Sequence, residues 1–269
     1  IWIGTFNGLN RYNKITGLFQ NHTANDTQAD GLTHSSIWCI VKDNQGTLWL
    51  GTYFGGVNYF NPEYEIYTRY SYSSNEKKGL SNPVVGRTIE DRDGNLWIGT
   101  EGGGLNYYNR RTREFKWYRP QEGRNSISHN NVKALYYDAD KEIIWIGTHL
   151  GGLNKLDIRS GHFTHYRMEE GNPNTLPSDI IRDIIPYKSL LIIATQNGVC
   201  LFDPANGQCQ QLFKDSKEGK SIKMVADVTF DSEGTLWIAA TGEGVFSYRF
   251  DTCRLTNYRH DATNPNSLS

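Results

Sequence analysis

Long apolar runs are missing from this chain. Nowhere does a hydrophobic stretch approach the roughly 18 residues of a membrane-spanning helix, so the sequence holds no such span. An excess of charge of either sign is also missing. With 28 Lys and Arg against 29 Asp and Glu, no field draws the chain to nucleic acid or to an anionic bilayer. Basic doublets are confined to Lys77-Lys78 and Arg110-Arg111. The four cysteines (Cys39, Cys200, Cys209, Cys253) show no CxxC spacing, which argues against a zinc site. Cys200 and Cys209 share a hairpin, but counting back from its turn at Asp203 to Gly207 puts them out of direct register. The expectation is therefore against a disulfide, whose Cβ atoms must face each other. HExxH, a GxSxG nucleophile elbow, a phosphate-binding glycine loop and kinase signatures are absent as well. The seven histidines fall mostly in long loops and outer strands, and no catalytic residue, cofactor or metal is implied.

What the chain does have is aromatic residues at 13% and 27 glycines, within a hydrophobic content of only 37%. A core built on Trp, Tyr and Phe with many turns points to an all-β protein. A chain of 269 residues buries roughly 75% of its unfolded surface and needs no disulfide or metal to hold it. It starts at Ile1 inside a strand-like segment, without an initiator Met or a signal peptide. It therefore reads as a piece of a longer protein.

Laid on itself, the sequence repeats six times: IWIGTFNGLNRYN, LWLGTYFGGVNYFN, LWIGTEGGGLNYYN, IWIGTHLGGLNKLD, LIIATQNGVCLFD and LWIAATGEGVFSYRF. Trp2, Trp49, Trp97, Trp145, Ile192 and Trp237 hold one column, at spacings of 47, 48, 48, 47 and 45 residues. Each unit carries four short β signals: a mostly apolar strand such as Ser36 to Val41, an Asp-Gly turn, the Trp strand, and two more strands joined by hairpins such as NPEYE and DIRSG. A four-stranded meander cannot hide both faces alone, so copies must stack. Radial stacking of such blades is the β-propeller. The expected fold is all-β, a propeller of four-stranded antiparallel blades forming a single fragment over residues 1–269, with repeats starting near 1, 48, 96, 144, 191 and 236. The first unit lacks its first strand, and the chain stops at NPNSLS, ahead of another. About six blades are thus expected, as part of a seven-bladed ring that would need roughly 330 residues at this period.

The six copies can be compared with one another. A Trp in nearly every copy serves the repeat, as a plate between blades. The Gly-Thr pair after it suggests close packing and a strand-end hydroxyl bond. The DxxG turns resemble calcium loops or the Asp-box of sialidases, but Asp91, Asp93, Gly94 and Trp97 match neither spacing, so they read as hairpin turns. Topology puts the loops between strands two and three on the same face as the long connections between blades. There the residues after Gly-Thr vary: Phe6-Asn7, Tyr53-Phe54, Glu101, His149-Leu150, Gln196-Asn197 and Glu243. Aromatic, amide and carboxylate side chains of this kind suit a neutral polyol or sugar. Blade five departs most from the pattern, losing the Trp, the Gly of Gly-Thr and the DxxG turn.

The segment VVGRTIEDRDGNLWIGTEGGGLNYYNRRTREFKWYRPQEGRNSIS resembles the two-component regulator propeller repeat, and the likeness covers essentially the whole chain. It is sharp in blades two to four and degraded in blades five and six. The resemblance implies a seven-bladed propeller in the periplasmic sensor region of an inner-membrane hybrid histidine kinase, whose kinase, receiver, membrane helix and DNA-binding parts are not in this sequence. On that reading the fragment is not an enzyme. It would detect an oligosaccharide and pair with a second copy through the parent's sensor region, with membrane contact only through the parent's other parts. A propeller enzyme of the streptogramin-lyase kind, using Glu101 and His149, is one alternative, and a protein-interaction platform is another.

Overall fold

A computed structural model describes the protein over residues 1–24, 31–61, 66–214, 222–260, 262–263 and 267–268. Most of the NPEYE turn and of the terminal NPNSLS segment lies outside them. The chain is all-β, with one 3-10 turn at Glu76–Lys78 and no α-helix among the described residues. Six antiparallel meanders follow one another as the blades of a β-propeller. The first has three strands, β1 (Trp2–Thr5), β2 (Gly8–Tyr12) and β3 (Phe19–His22). The second has β4 (Ile37–Lys42), β5 (Leu48–Thr52), β6 (Val57–Asn61) and β7 (Ile66–Tyr70). The third has β8 (Val85–Glu90), β9 (Leu96–Thr100), β10 (Gly104–Asn109) and β11 (Glu114–Tyr118). The fourth comprises β12 (Val132–Asp138), β13 (Ile143–Thr148), β14 (Leu153–Asp157) and β15 (Phe163–Tyr166). The fifth comprises β16 (Ile181–Tyr187), β17 (Leu190–Thr195), β18 (Gly198–Phe202) and β19 (Cys209–Gln211). The sixth comprises β20 (Val225–Phe230), β21 (Leu236–Ala240), β22 (Gly244–Arg249) and β23 (Arg254–Tyr258).

The repeated residues have repeated tasks. Asp43 opens the turn before β5, and its Oδ1 accepts the amides of Gln45 and Thr47, each at 2.9 Å, while Oδ2 accepts Trp49 Nε1 at 2.8 Å. Asp91 holds Asp93, Asn95 and Trp97 in the same way, and Asp231 holds Glu233, Thr235 and Trp237. The DxxGxxW spacing is thus an internal clamp that fixes the turn and the indole together. In the fourth blade the turn is one residue longer, from Asp138 to Trp145, and the buried Trp145 Nε1 has no hydrogen-bond partner. Clamped or not, the indoles fill the gaps between blades: Trp49 stacks on Tyr70 at 5.7 Å and reaches Tyr108 of the third blade. Trp2 meets Phe60, and Trp145 meets Phe202.

Close approach explains the Gly-Thr pair. A Cβ on Gly51 would lie 2.7 Å from Val85 Cγ1, and one on Gly99 would lie 2.6 Å from Val132 Cγ1, so the strands can meet only over glycine. The Thr hydroxyl then closes the next turn, Thr52 Oγ1 donating to Gly56 O at 2.8 Å and Thr100 Oγ1 to Gly104 O at 2.9 Å.

Two compact units divide the chain. One comprises Ile1–Ile144 with Asp157–Phe163. Within it β1, β4, β8 and β12 are successive neighbours, over a core that includes Trp49, Val57, Leu80, Val85, Leu96 and Ile98. The other comprises Trp145–Leu156 with Thr164–Ser269. There β16 lies beside β20, over Ile192, Val199, Val225, Ile238 and Phe246. The strands of the fourth sheet contribute residues to both units.

Candidate functional site

In each of four blades the turn after the Trp strand is bonded to the segment just ahead of the first strand. Tyr53 N donates to Ser36 O at 3.1 Å, Glu101 N to Val84 O at 3.0 Å, Gln196 N to Ile180 O at 3.0 Å and Thr241 N to Met224 O at 3.1 Å. Within each of these blades the bonds place the variable turn and the incoming connection at the same end of the sheet, as topology requires. A buried asparagine in the third strand ties the same loops down. Asn58 Oδ1 accepts Thr33 N at 3.1 Å, and Asn106 Oδ1 accepts Ser81 N at 2.8 Å.

At this end of the blades of the first unit, four large rings lie open to solvent. Tyr53 and Phe54 occupy the turn after β5, their ring centroids 4.3 Å apart. Trp38 stacks on Tyr53 at 5.4 Å with an interplanar angle of 13°. Phe6, from the turn after β1, meets Trp38 edge-on at 6.4 Å, and His34 meets Phe54 edge-on at 6.2 Å. Phe6, Trp38 and Phe54 are 77%, 46% and 58% exposed. Together they form a contiguous, solvent-exposed aromatic surface larger than the scattered single rings ordinary on a protein exterior. Two hollows flank Trp38. One, of about 320 Å³, is lined by Gly4, Thr5, Phe6, Ile37 and Trp38; the other, of about 360 Å³, runs past Cys39 and Ile40 to Arg87 and Thr88. The four rings carry no charge, so their faces suit a neutral ligand with C–H surfaces.

Trp38 is absent from the residues expected from sequence. It sits at the irregular step of β4, where the register with β5 shifts between Ile37 and Cys39. Such a bulge re-aims a side chain. The shift recurs in β8, β16 and β20. The corresponding positions hold Gly86, Lys133, Arg182 and Ala226. A tryptophan in a column of small or cationic residues was the available signal.

Of the remaining expected residues, Glu101, Asn197 and Glu243 use their side chains within the protein, while Asn7, His149, Leu150 and Gln196 are held through backbone atoms. Asn7 N bonds the Thr5 hydroxyl at 3.1 Å, and the residue is exposed beside Phe6. Glu101 forms an ion pair with Lys133, the residue in the Trp38 column of blade four. In the second unit, His149 bridges to Ile180. Leu150 is exposed at φ 80°, its carbonyl accepting from Arg167 at 3.2 Å. The backbone N–H of Gln196 donates to Ile180 O. Asn197 Nδ2 donates to Pro177 O at 3.3 Å, and Glu243 pairs with Arg259. Among the described residues no group of three or more His, Cys, Asp or Glu could hold a metal ion.

The two-component regulator propeller repeat matches residues 31–54, 79–102 and 126–149. Among solved structures, the chain is similar to the extracellular domain of BT3049 from B. thetaiotaomicron, described as a hybrid two-component system. Identity is 25%, with a TM-score of 0.69 over 82% of this chain and 29% of that one. The corresponding domain of BT4673 from the same organism is 22% identical, with a TM-score of 0.62 over 97% of this chain and 42% of that one. Virginiamycin B lyase from Staphylococcus aureus is 12% identical, with a TM-score of 0.63 over 91% and 75%, a likeness of fold alone. The chain spans less than half of either two-component domain. No curated protein matches it in sequence.

Proposed function

The chain carries two-component regulator propeller repeats, and we propose that it is part of the extracellular or periplasmic sensor region of a two-component system, reading a neutral oligosaccharide on the Phe6, Trp38, Tyr53 and Phe54 surface. The observation that carries this reading is the exposed, mutually stacked set of rings beside two hollows. A pyranose laid on Trp38 would cover apolar ring surface, and Asn7 and His34 at the edges would bond its hydroxyls. Occupancy would act by population shift: a ligand that prefers one arrangement of paired sensors moves the equilibrium by its differential affinity. Parts of the parent protein outside this chain, including its membrane helix and kinase, would report that shift. Glu101, the carboxylate that a lyase would need, is committed to Lys133, which favours binding over turnover.

The test is thermal unfolding of the protein, followed by Trp fluorescence, against a panel of neutral plant and host oligosaccharides. One glycan class should raise the midpoint saturably, by the equivalent of about 2.7 kcal/mol at a hundredfold excess over Kd. No shift with any glycan would defeat the proposal. A midpoint raised only by a protein partner would turn the surface into a docking platform.

A further inference from the structure

Among the departures of blade five from the repeat, two are to cysteine. In the third strands of blades two, three and four the residue after the Gly-apolar pair is a fully buried asparagine: Asn58, Asn106 and Asn154. Asn58 and Asn106 fasten the loop that enters their blade. The fifth blade has Cys200 at this position. In the fourth strand, the position that holds Phe115 opposite Tyr108, and Leu255 opposite Tyr248, holds Cys209 opposite Phe202. Blade five has thus lost the polar clamp and one apolar plug. It has gained two thiols in their place.

The register bears out the diagonal relation expected from sequence, Cys200 pairing with Gln211 and Cys209 with Phe202. Both thiols are free in the structure, but out of direct register their side chains still point to the same side of the blade and approach each other. The two Sγ atoms are 2.9 Å apart and both residues are buried. An S–S bond of about 2.05 Å lies roughly 0.9 Å closer. β19 is only three residues long, and a short outer strand can supply that movement.

We propose that Cys200 and Cys209 form a disulfide that fastens β18 to β19 in the one blade where a cysteine pair replaces the asparagine clamp. The oxidant is a disulfide-bearing thiol reagent, for which glutathione disulfide serves as the probe. One cysteine thiolate attacks it and expels a glutathione thiolate, and the second cysteine attacks the mixed disulfide and expels another. The protein loses two hydrogens, and one glutathione disulfide becomes two glutathione thiols. Burial raises the Cys200 thiol well above its ordinary pKa and keeps it protonated, so the exchange belongs to folding, before the blade closes. The bond also secures the neighbouring loop, since Cys209 N donates to Asn174 O at 2.7 Å. This inference goes beyond the ligand-sensing proposal and does not depend on it.

The experiment refolds the whole chain from denaturant in mixed oxidised and reduced glutathione, then unfolds it in acid and counts thiols with a maleimide before and after reduction. Two labels are expected before reduction, on Cys39 and Cys253, and four after. The unlabelled oxidised protein should be lighter by about 2 Da, and peptide mapping should join the peptides that carry Cys200 and Cys209. Reduction should lower the thermal midpoint by about 5 °C, and should leave that of the Cys200→Ala, Cys209→Ala double variant unchanged. Four labels after oxidative refolding, or a bridge to Cys39 or Cys253, would overturn the proposal.

Discussion

Asp43 shows how much one side chain can hold in a small blade. Its carboxylate is buried, accepts two turn amides and the Trp49 indole N–H, and pairs with Arg110 at 2.7 Å. Burial opposes its charged form, but the Trp49 and Thr47 bonds and the Arg110 guanidinium outweigh that and hold its pKa below the usual carboxylate value. Asp43→Ala should cost about 2–4 kcal/mol, because it strands donors around the buried Trp49, and denaturant unfolding would measure the loss. The pH dependence follows from the direction of the shift. A carboxyl with a depressed folded pKa contributes stability that is present above its unfolded pKa of about 3.9 and is lost as pH falls through the folded value. Glu90, raised by burial despite Arg110, works in the opposite sense, so the comparison should be made with Asp43→Asn. The gap between wild type and that variant should be widest near neutrality and should close in acid; a gap that widens in acid would contradict the assignment. Trp38 belongs to the opposite kind of residue. Being half exposed, it should tolerate Ala with a stability change within about 1 kcal/mol.

At the scale of the strand and turn, the blade is fastened at three points: the Asp clamp, the Gly-Thr turn and the asparagine. Asn106→Ala removes bonds to Ser81 N, Ser81 Oγ and Ile98 O in a fully buried site. It should cost about 1–3 kcal/mol, with amide exchange quickening first at Ser81 and its neighbours. Gly99→Ala would drive a Cβ within 3.2 Å of three Val132 atoms, one of them backbone, and should destabilise by at least about 1–3 kcal/mol. These elements could be read from sequence because each signal is written several times: the Trp column, the Asp-Gly turn and the Gly-Thr pair all sit in the structure where the repeat places them. What appears once could not be read so well. Trp38 is hidden by belonging to a strand that otherwise looks like core. The approach of Cys200 to Cys209 is decided by side-chain direction, which register alone does not give. Glu101 looked available until Lys133, 32 residues on, proved to be its partner.

For the molecule as a whole, the frame and the proposed recognition surface obey different rules. Residues that recur in most blades pack, clamp or close turns. Those that break the pattern gather as an uncharged aromatic surface in the first unit and as a cysteine pair in the second. That division fits the proposed sensing role, with a regular scaffold presenting irregular side chains from its loops. The measurement that bears most directly on this account is calorimetric titration of the oligosaccharide that most raises the unfolding midpoint into wild type, Trp38→Ala and Glu101→Gln. Losing the Trp38 ring should weaken binding by about 1.5–3 kcal/mol, roughly 10- to 100-fold in Kd, while Glu101→Gln should bind as wild type does. Equal affinity for all three proteins, or loss of binding in Glu101→Gln alone, would contradict the aromatic surface as the place where ligand is read.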